Sequence, residues 1–206
     1  MVAGPTAVGK TALAIRLAQR FASEIVSADS RQFFRELNIG TAKPTAEELL
    51  MVKHHFINTL SINEEYDAAR YGDEALATIM QLFKKMNVVI LCGGSGLYIK
   101  AVCEGFDDIP EVPENVRIQL MEHYAVHGIS WLQEQMKALD PDYFQSIDQR
   151  NPHRLIRALE VKIATGSSLS AFHRKESRKL SFDIVKIGLE LSREELYNRI
   201  DARMDS

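Results

Sequence analysis

The sequence predicts an α/β fold: a parallel sheet with flanking helices, interrupted by a helical insertion. Three observations carry this reading. A short apolar stub runs into GPTAVGKT (residues 4–11) and then into a helix-patterned run, giving the order strand, glycine-rich loop, helix. VVILC at 88–92 is a continuous apolar stretch, as expected of a strand covered on both faces. From about residue 105 to 181 capped helical patterns replace strand patterns, and FDIVKIGLEL (182–191) returns to them.

Each element follows from local chemistry. GPTAVGKT has the form G-x-x-x-x-G-K-[ST], which makes the first part of the chain P-loop NTPase-like. After it, Leu13, Leu17 and Phe21 recur at helical spacing. EIVSA (24–28) reads as a second strand ending at Asp29, with Asp29 and Ser30 placed to cap a helix over SRQFFREL. Thr45 and Glu48 form a capping box that opens a short helix, and HHFINTL is a candidate strand. Residues 67–86 predict a long helix with Ala75, Ile79, Phe83 and Met86 on its buried side, stopped by Asn87. VVILC follows and breaks at GGSG. In the insertion, residues 113–127 are expected to form a helix closed by Gly128. Residues 130–139 form another, with Ser130 and Gln133 as a capping box. Residues 152–165 form a third, with Asn151 as cap, Pro152 in the first turn and Gly166 at the end. Ser192 and Glu195 cap a last helix with Leu196, Ile200 and Met204 on one side. The expected division is 1–104 and 182–206 for the α/β core and 105–181 for the insertion. The last helix carries no stop signal, so a truncated chain is expected.

Composition excludes several classes. At 206 residues, 46% hydrophobic and 26% charged, the chain is of ordinary globular type, and no apolar run approaches the length of a membrane span. No signal-peptide pattern opens it. Cys92 and Cys103 have no metal-ligand spacing and are too few for a disulfide framework, which points to a reducing cytoplasm. His123 and His127 have helical i, i+4 spacing but no third ligand, so a helix-surface pair is expected rather than zinc. The net charge of −3 hides an asymmetry. Residues 104–149 hold 10 acids against 2 bases, and residues 150–186 hold 9 bases against 3 acids, a local surplus able to meet a polyanion.

The chemistry concentrates at strand ends. Backbone N–H groups of Gly4, Pro5's neighbours, Thr6, Ala7, Val8 and Gly9 can face phosphate oxygens, Lys10 adds a point charge, and Thr11 offers a hydroxyl to Mg²⁺. A nucleotide hydrolase would also show an Asp closing an apolar strand, yet VVILC ends in Gly93 and Gly94. The acid at a strand end is Asp29, and strand C-termini next to the first strand line the ligand crevice of an open parallel sheet. GGSGLY places Ser95 at the same edge. Arg154 and Arg157, with His153 beside them, share a helix face, as do Arg199 and Arg203. A small-molecule kinase with an arginine-bearing lid is the competing class.

Taken together, GPTAVGKTALA, DSRQ, IGTAKP, YDAARYGDEALA, GGSGLY and DPDYFQSIDQRNPHRLIRALEV resemble the tRNA dimethylallyltransferase (tRNA isopentenyltransferase) family over nearly the whole chain. The resemblance implies a loop, Gly4 to Thr11, that holds the diphosphate of dimethylallyl diphosphate. It implies transfer of the allyl group to N6 of the adenosine 3′ of the anticodon in tRNA. By the same carry-over, Asp29 is the base, and Lys10, Thr11 with Mg²⁺, Ser95 and Arg203 stabilise departing diphosphate. Ser30, Arg31 and Gln32 meet the target nucleotide with Asp29 and Ser95. Arg117 and the run His153, Arg154, Leu155, Ile156 and Arg157 fall where the family contacts the tRNA anticodon arm. A cytoplasmic monomer is implied. Ser95 stands where the family usually has Thr, and Phe34 where Tyr is common. Relatives that prenylate free adenylates are the nearest alternative.

Overall fold

The computed structural model describes residues 1–107, 109–173 and 178–204. Arg174, Lys175 and Glu176 of the basic stretch lie outside the described residues. Two compact units divide the chain: Met1–Phe106 with Arg178–Ser206, and Asp107–Ser177.

The first unit holds β1 (Val2–Ala3), α1 (Lys10–Arg20), β2 (Ile25–Ser27), α2 (Ala46–Met51), β3 (His54–His55), α3 (Ala68–Phe83), β4 (Ile90–Gly93) and α4 (Gly96–Cys103). The sheet order is β3-β2-β4-β1-β5, with β5 at Ile187–Gly188, and every pairing is parallel. Alternation along the central strands feeds two cores. Ile25 and Ile90 pack with Val2, Ala14, Ile15 and Ala18. Val26 and Leu91 pack with Tyr71, Ala75, Ile79 and Val102. That two-sided burial is why β4 is an unbroken apolar run. The Tyr71 hydroxyl, inside the second core, donates to the Ser27 carbonyl at 2.7 Å and so avoids an unpaired buried oxygen.

Several local expectations shift. In α1 the small residues Ala14 and Ala18, with Ile15, form the buried face, because they let the helix lie close on the sheet. Leu13 and Leu17 are partly buried, and Phe21 is 49% exposed. Residues 30–37 form turns rather than a helix. Asp29 Oδ1 accepts the Arg31 N–H at 3.0 Å, a local bond that competes with helix formation. Phe33 is fully buried beside Phe34, Tyr66 and Tyr98, and Phe34 bridges to Leu60, so tertiary packing overrides the helical pattern. The capping box of α2 is present, with both Thr45 and Glu48 side chains engaged. Strand pairing after the insertion is confined to Ile187–Gly188. Ahead of it, Phe182 packs on Phe83 with ring centroids 4.9 Å apart and the planes tilted by 44°. α8 (Arg193–Met204, after the helices of the second unit) is capped by Ser192 but has no fully buried residue, and Met204 is 79% exposed.

The second unit is helical: α5 (Glu114–Leu139), α6 (Pro141–Ser146), α7 (Pro152–Thr165) and a 3-10 turn at Leu169–Phe172. Gly128, non-helical at φ 72° and ψ −171°, divides α5 into two helical segments at the place where the sequence predicts one helix to close and another to follow. Asn151 accepts the Arg154 N–H at 3.2 Å, and Gly166 closes α7 in the left-handed region at φ 73°. Leu120, Leu132, Met136, Leu155, Ile156, Leu159 and Val161 form this unit's own core.

Candidate active site

In the phosphate loop, Gly4 (φ 156°), Ala7 (φ 60°) and Gly9 (φ 100°) have positive φ, and α1 starts at Lys10. Such a backbone turns successive N–H groups toward one centre at a helix N-terminus, a site for an anion. Ala7 holds its conformation without a glycine's freedom, a strain typical of binding loops. The Lys10 ammonium donates to the Pro5 carbonyl at 2.6 Å. It reaches the second glycine turn, with Nζ 3.6 Å from where a Cβ on Gly94 would stand. Burial lowers the Lys10 pKa; Cys92 and Asp29 oppose that shift, and Arg203 adds to it. Carboxylate, ammonium and guanidinium thus share one electrostatic neighbourhood.

The second turn is fixed by close approach. A Cβ on Gly93 would fall 2.0 Å from the Ala28 carbonyl oxygen, so no side chain fits there. The Ala28 N–H donates to the Cys92 carbonyl at 2.8 Å, and the Ser95 N–H to the Ala28 carbonyl at 3.3 Å. Ser95 Oγ accepts the Ser30 N–H at 2.9 Å and donates to Ser30 Oγ at 3.2 Å. The ends of β2 and β4 are therefore laced together immediately beside Asp29.

These edges enclose a cleft of about 710 Å³ within the first unit. Gly4, Pro5, Thr6, Ala7, Gly9, Lys10 and Thr11 line it, as do Asp29, Ser30, Arg31, Gln32, Ser95 and Arg203. Val8 does not; it is 7% exposed, with its Cγ1 3.1 Å from where a Cβ on Gly4 would stand. Gln32 lines the cleft, but its amide holds the adjoining loop: Nε2 donates to the carbonyls of Ala42 (2.9 Å) and Thr41 (3.3 Å), and Oε1 accepts from Ser27 Oγ at 3.1 Å. Cys92 also borders the cleft, and burial pushes its thiol up to about 11, leaving it protonated and poorly nucleophilic at neutral pH.

Sequence reasoning assigned no role to three further cleft residues. Arg199 joins Arg203 on the lining, with Nη2 bonded to Glu195 at 2.8 Å; its i, i+4 spacing from Arg203 was the available signal. Lys43 lines the cleft with its ammonium bonded to the Phe34 carbonyl (2.6 Å) and Asn58 Oδ1 (2.6 Å), which makes it a loop fastener. His54, bonded through Nδ1 to the Val52 carbonyl at 2.8 Å, also lines the cleft with Nε2 buried. Lys43 falls inside IGTAKP, one of the strings that carry the resemblance, whereas no sequence pattern marks His54 as a cleft residue.

The residues expected to meet tRNA from the insertion belong to the second unit and are not part of this cleft. Leu155 (0% exposed) and Ile156 (6%) are a correction: their side chains are core, since α7 must bury one face against α5. His153 and Arg154 are exposed. Arg154 pairs with Asp148 at 3.6 Å, and Arg117 and Arg157 converge on Glu160 at 3.5 and 3.3 Å. His123 stacks on Trp131 at 4.7 Å, and no cluster of three metal-ligating side chains occurs among the described residues.

A parallel sheet, a glycine-rich loop leading into a helix, and an acid at the neighbouring strand end define a phosphate-binding α/β protein of the P-loop type. Comparison narrows the class. The family model for IPP transferase matches residues 32–206, and the chain belongs to that family. It is 47% identical to the tRNA dimethylallyltransferase of Christiangramia forsetii over 204 residues, covering 99% of this chain and 68% of that protein. It is 49% identical to that of Flavobacterium johnsoniae over 210 residues, with coverage of 99% and 68%. The chain spans about two thirds of the length of these relatives. Among solved structures, the full-length tRNA isopentenylpyrophosphate transferase of Bacillus halodurans matches with TM-score 0.63 at 36% identity, over 99% of this chain and 63% of that one. A eukaryotic dimethylallyltransferase acting on tRNA matches with TM-score 0.82 at 26% identity, over 99% and 51%.

Proposed function

We propose that the chain carries the catalytic core of a tRNA dimethylallyltransferase. The bond between the allylic carbon and the diphosphate oxygen breaks, the bond from that carbon to N6 of the adenosine 3′-adjacent to the anticodon forms, and diphosphate leaves. The observation that carries this reading is the meeting of a strand-end carboxylate, Asp29, with a phosphate loop and several cations in a single cleft, whose other carboxylate, Glu48, is engaged in the capping box of α2. An exocyclic adenine amine is a weak nucleophile. Asp29 takes its proton as the new bond forms, and the adenine must leave its stack to reach the carboxylate. Lys10 and Arg203, with the loop amides, meet charge that grows on the leaving diphosphate, and Ser95 holds the β2 and β4 ends in place while offering its hydroxyl.

The donors fit Mg²⁺ as the metal of this reaction. Thr11 lines the cleft at the start of α1, and its hydroxyl would be the protein's ligand to a hard cation there. Bound there, Mg²⁺ would neutralise charge on the diphosphate. No helix of the described residues is long and apolar enough to cross a membrane; it is the choice of tRNA as acceptor that carries our reading of an enzyme acting in the cytoplasm.

The test is the fate of radiolabelled allyl from dimethylallyl diphosphate, supplied to the full-length protein with unmodified tRNA, with AMP, and with ATP as a competitor. Label on tRNA is expected. Label on AMP alone would move the protein to the adenylate-prenylating class, and ATP hydrolysis without transfer would make it a kinase or ATPase.

A further inference from the structure

The second unit contains a charge arrangement that packing alone does not require. Glu160, on α7, is 1% exposed, on the same helix whose Leu155, Leu159 and Val161 belong to the apolar core of this unit. An isolated carboxylate in such a place is costly unless paired. Two guanidiniums pair with it from two helices. Arg157 Nη1, one turn away on α7, donates to Oε2 at 3.3 Å. Arg117 Nη1, on α5, stands 3.5 Å from Oε1, which has no hydrogen-bond partner.

The two arginines differ from their anion in exposure. Their side chains are 57% (Arg117) and 41% (Arg157) exposed, against 2% for Glu160. Each guanidinium has five N–H donors in a rigid fork, and one nitrogen of each is engaged with the carboxylate. The cluster is thus two cations at the surface, tethered side by side over one buried anion, with net charge +1. A tether of this kind removes the side-chain freedom that two long cations would otherwise lose on binding.

We propose that Glu160 is a positioning residue: it holds Arg117 and Arg157 as a preformed pair that clamps a backbone phosphate of the tRNA. This inference rests on the reading of the protein as a tRNA-modifying enzyme. Glu160 itself touches no substrate.

The sign of the effect separates positioning from simple charge. Removing a negative charge near bound RNA should tighten binding if charge alone matters; loosening the pair should weaken it. The test uses the full-length protein and an unmodified tRNA transcript, with affinity measured at several salt concentrations. Glu160→Gln keeps the volume and removes the charge. Affinity for tRNA is expected to fall about tenfold and the dependence of log affinity on log salt to flatten by about one unit, with kcat at saturating tRNA and the affinity for dimethylallyl diphosphate unchanged. Glu160→Asp keeps the charge but is too short to reach both arginines, and should weaken binding in the same direction. It also serves if Glu160→Gln does not fold. In an Arg117→Ala/Arg157→Ala background, Glu160→Gln should change tRNA affinity no further. If that double variant weakens tRNA binding while the Glu160 substitutions leave or tighten it, Glu160 is only a structural counter-ion and the inference fails. If the double variant binds tRNA as the parent does, the clamp is absent, and allyl transfer to tRNA remains a separate measurement.

Discussion

The cleft of the first unit and the arginine cluster of the second, the two places where we propose that phosphate is met, are built by opposite means. The cleft is shaped by backbone: positive φ at Gly4, Ala7 and Gly9, and a glycine at 93 where the Ala28 carbonyl leaves no room for a Cβ. The cluster is shaped by charge: two half-exposed arginines over a buried carboxylate. A site made from backbone places donors rigidly at no cost in side-chain entropy, which suits chemistry that tolerates little displacement. A site made from long side chains must be tethered, and its tether is also part of the fold.

Substitutions can break this contrast at either end. The largest effect is expected at the reacting atoms. Asp29→Asn should slow single-turnover transfer by roughly 10²–10⁴-fold, the range for loss of a positioned base. Diphosphate affinity should hold, because the amide oxygen can still accept the Arg31 N–H. An unchanged rate would reduce Asp29 to a turn-forming residue. Next comes Gly93→Ala, which must push apart the ends of β2 and β4 and should destabilise the first unit by about 3 kcal/mol or more. Urea unfolding checks this, and a near-neutral result would mean the strand ends can separate cheaply. The smallest pair of effects lies in the insertion. Arg157→Ala leaves Glu160 with Arg117 alone and should cost about 1–3 kcal/mol, below the cost of stranding a buried charge completely. Arg154→Ala breaks only an exposed 3.6 Å pair with Asp148 and should cost less than about 0.5 kcal/mol. Equal stabilities for these two variants would erase the distinction between tethered and untethered arginines.

Much of this was legible in the sequence, for physical reasons that differ by element. The loop, β2, β4, α3 and the caps at Thr45 and Asn151 announce themselves through local chemistry, and the structure makes both of those cap bonds. Residues 30–37 misled because their helical pattern is outweighed by the burial of Phe33 among three aromatic rings, contacts that bring together residues 33, 66 and 98. Phe21 misled because the tight seat of α1 falls to Ala14 and Ala18, and periodicity of large residues does not report where small ones are needed. Leu155 and Ile156 sit in a motif string between exposed His153, Arg154 and partly exposed Arg157, and a string does not say which of its members face inward. Glu160 is the converse: an acid within a basic stretch looks solvated, and only the three-dimensional packing shows that it is buried.

One consequence of the sheet order concerns assembly in time. β1, which leads into the phosphate loop, lies between β4 and β5, and β5 comes about 185 residues later, after all the helices of the second unit. The Leu189 N–H donates to the Ala3 carbonyl at 2.8 Å, and the Leu189 carbonyl oxygen is 2.6 Å from where a Cβ on Gly4 would stand. On the ribosome the loop therefore emerges long before the segment that braces it. Contacts of such wide sequence separation form slowly, so the second unit, whose helices pack on sequence neighbours, has time to fold before the cleft acquires its last wall.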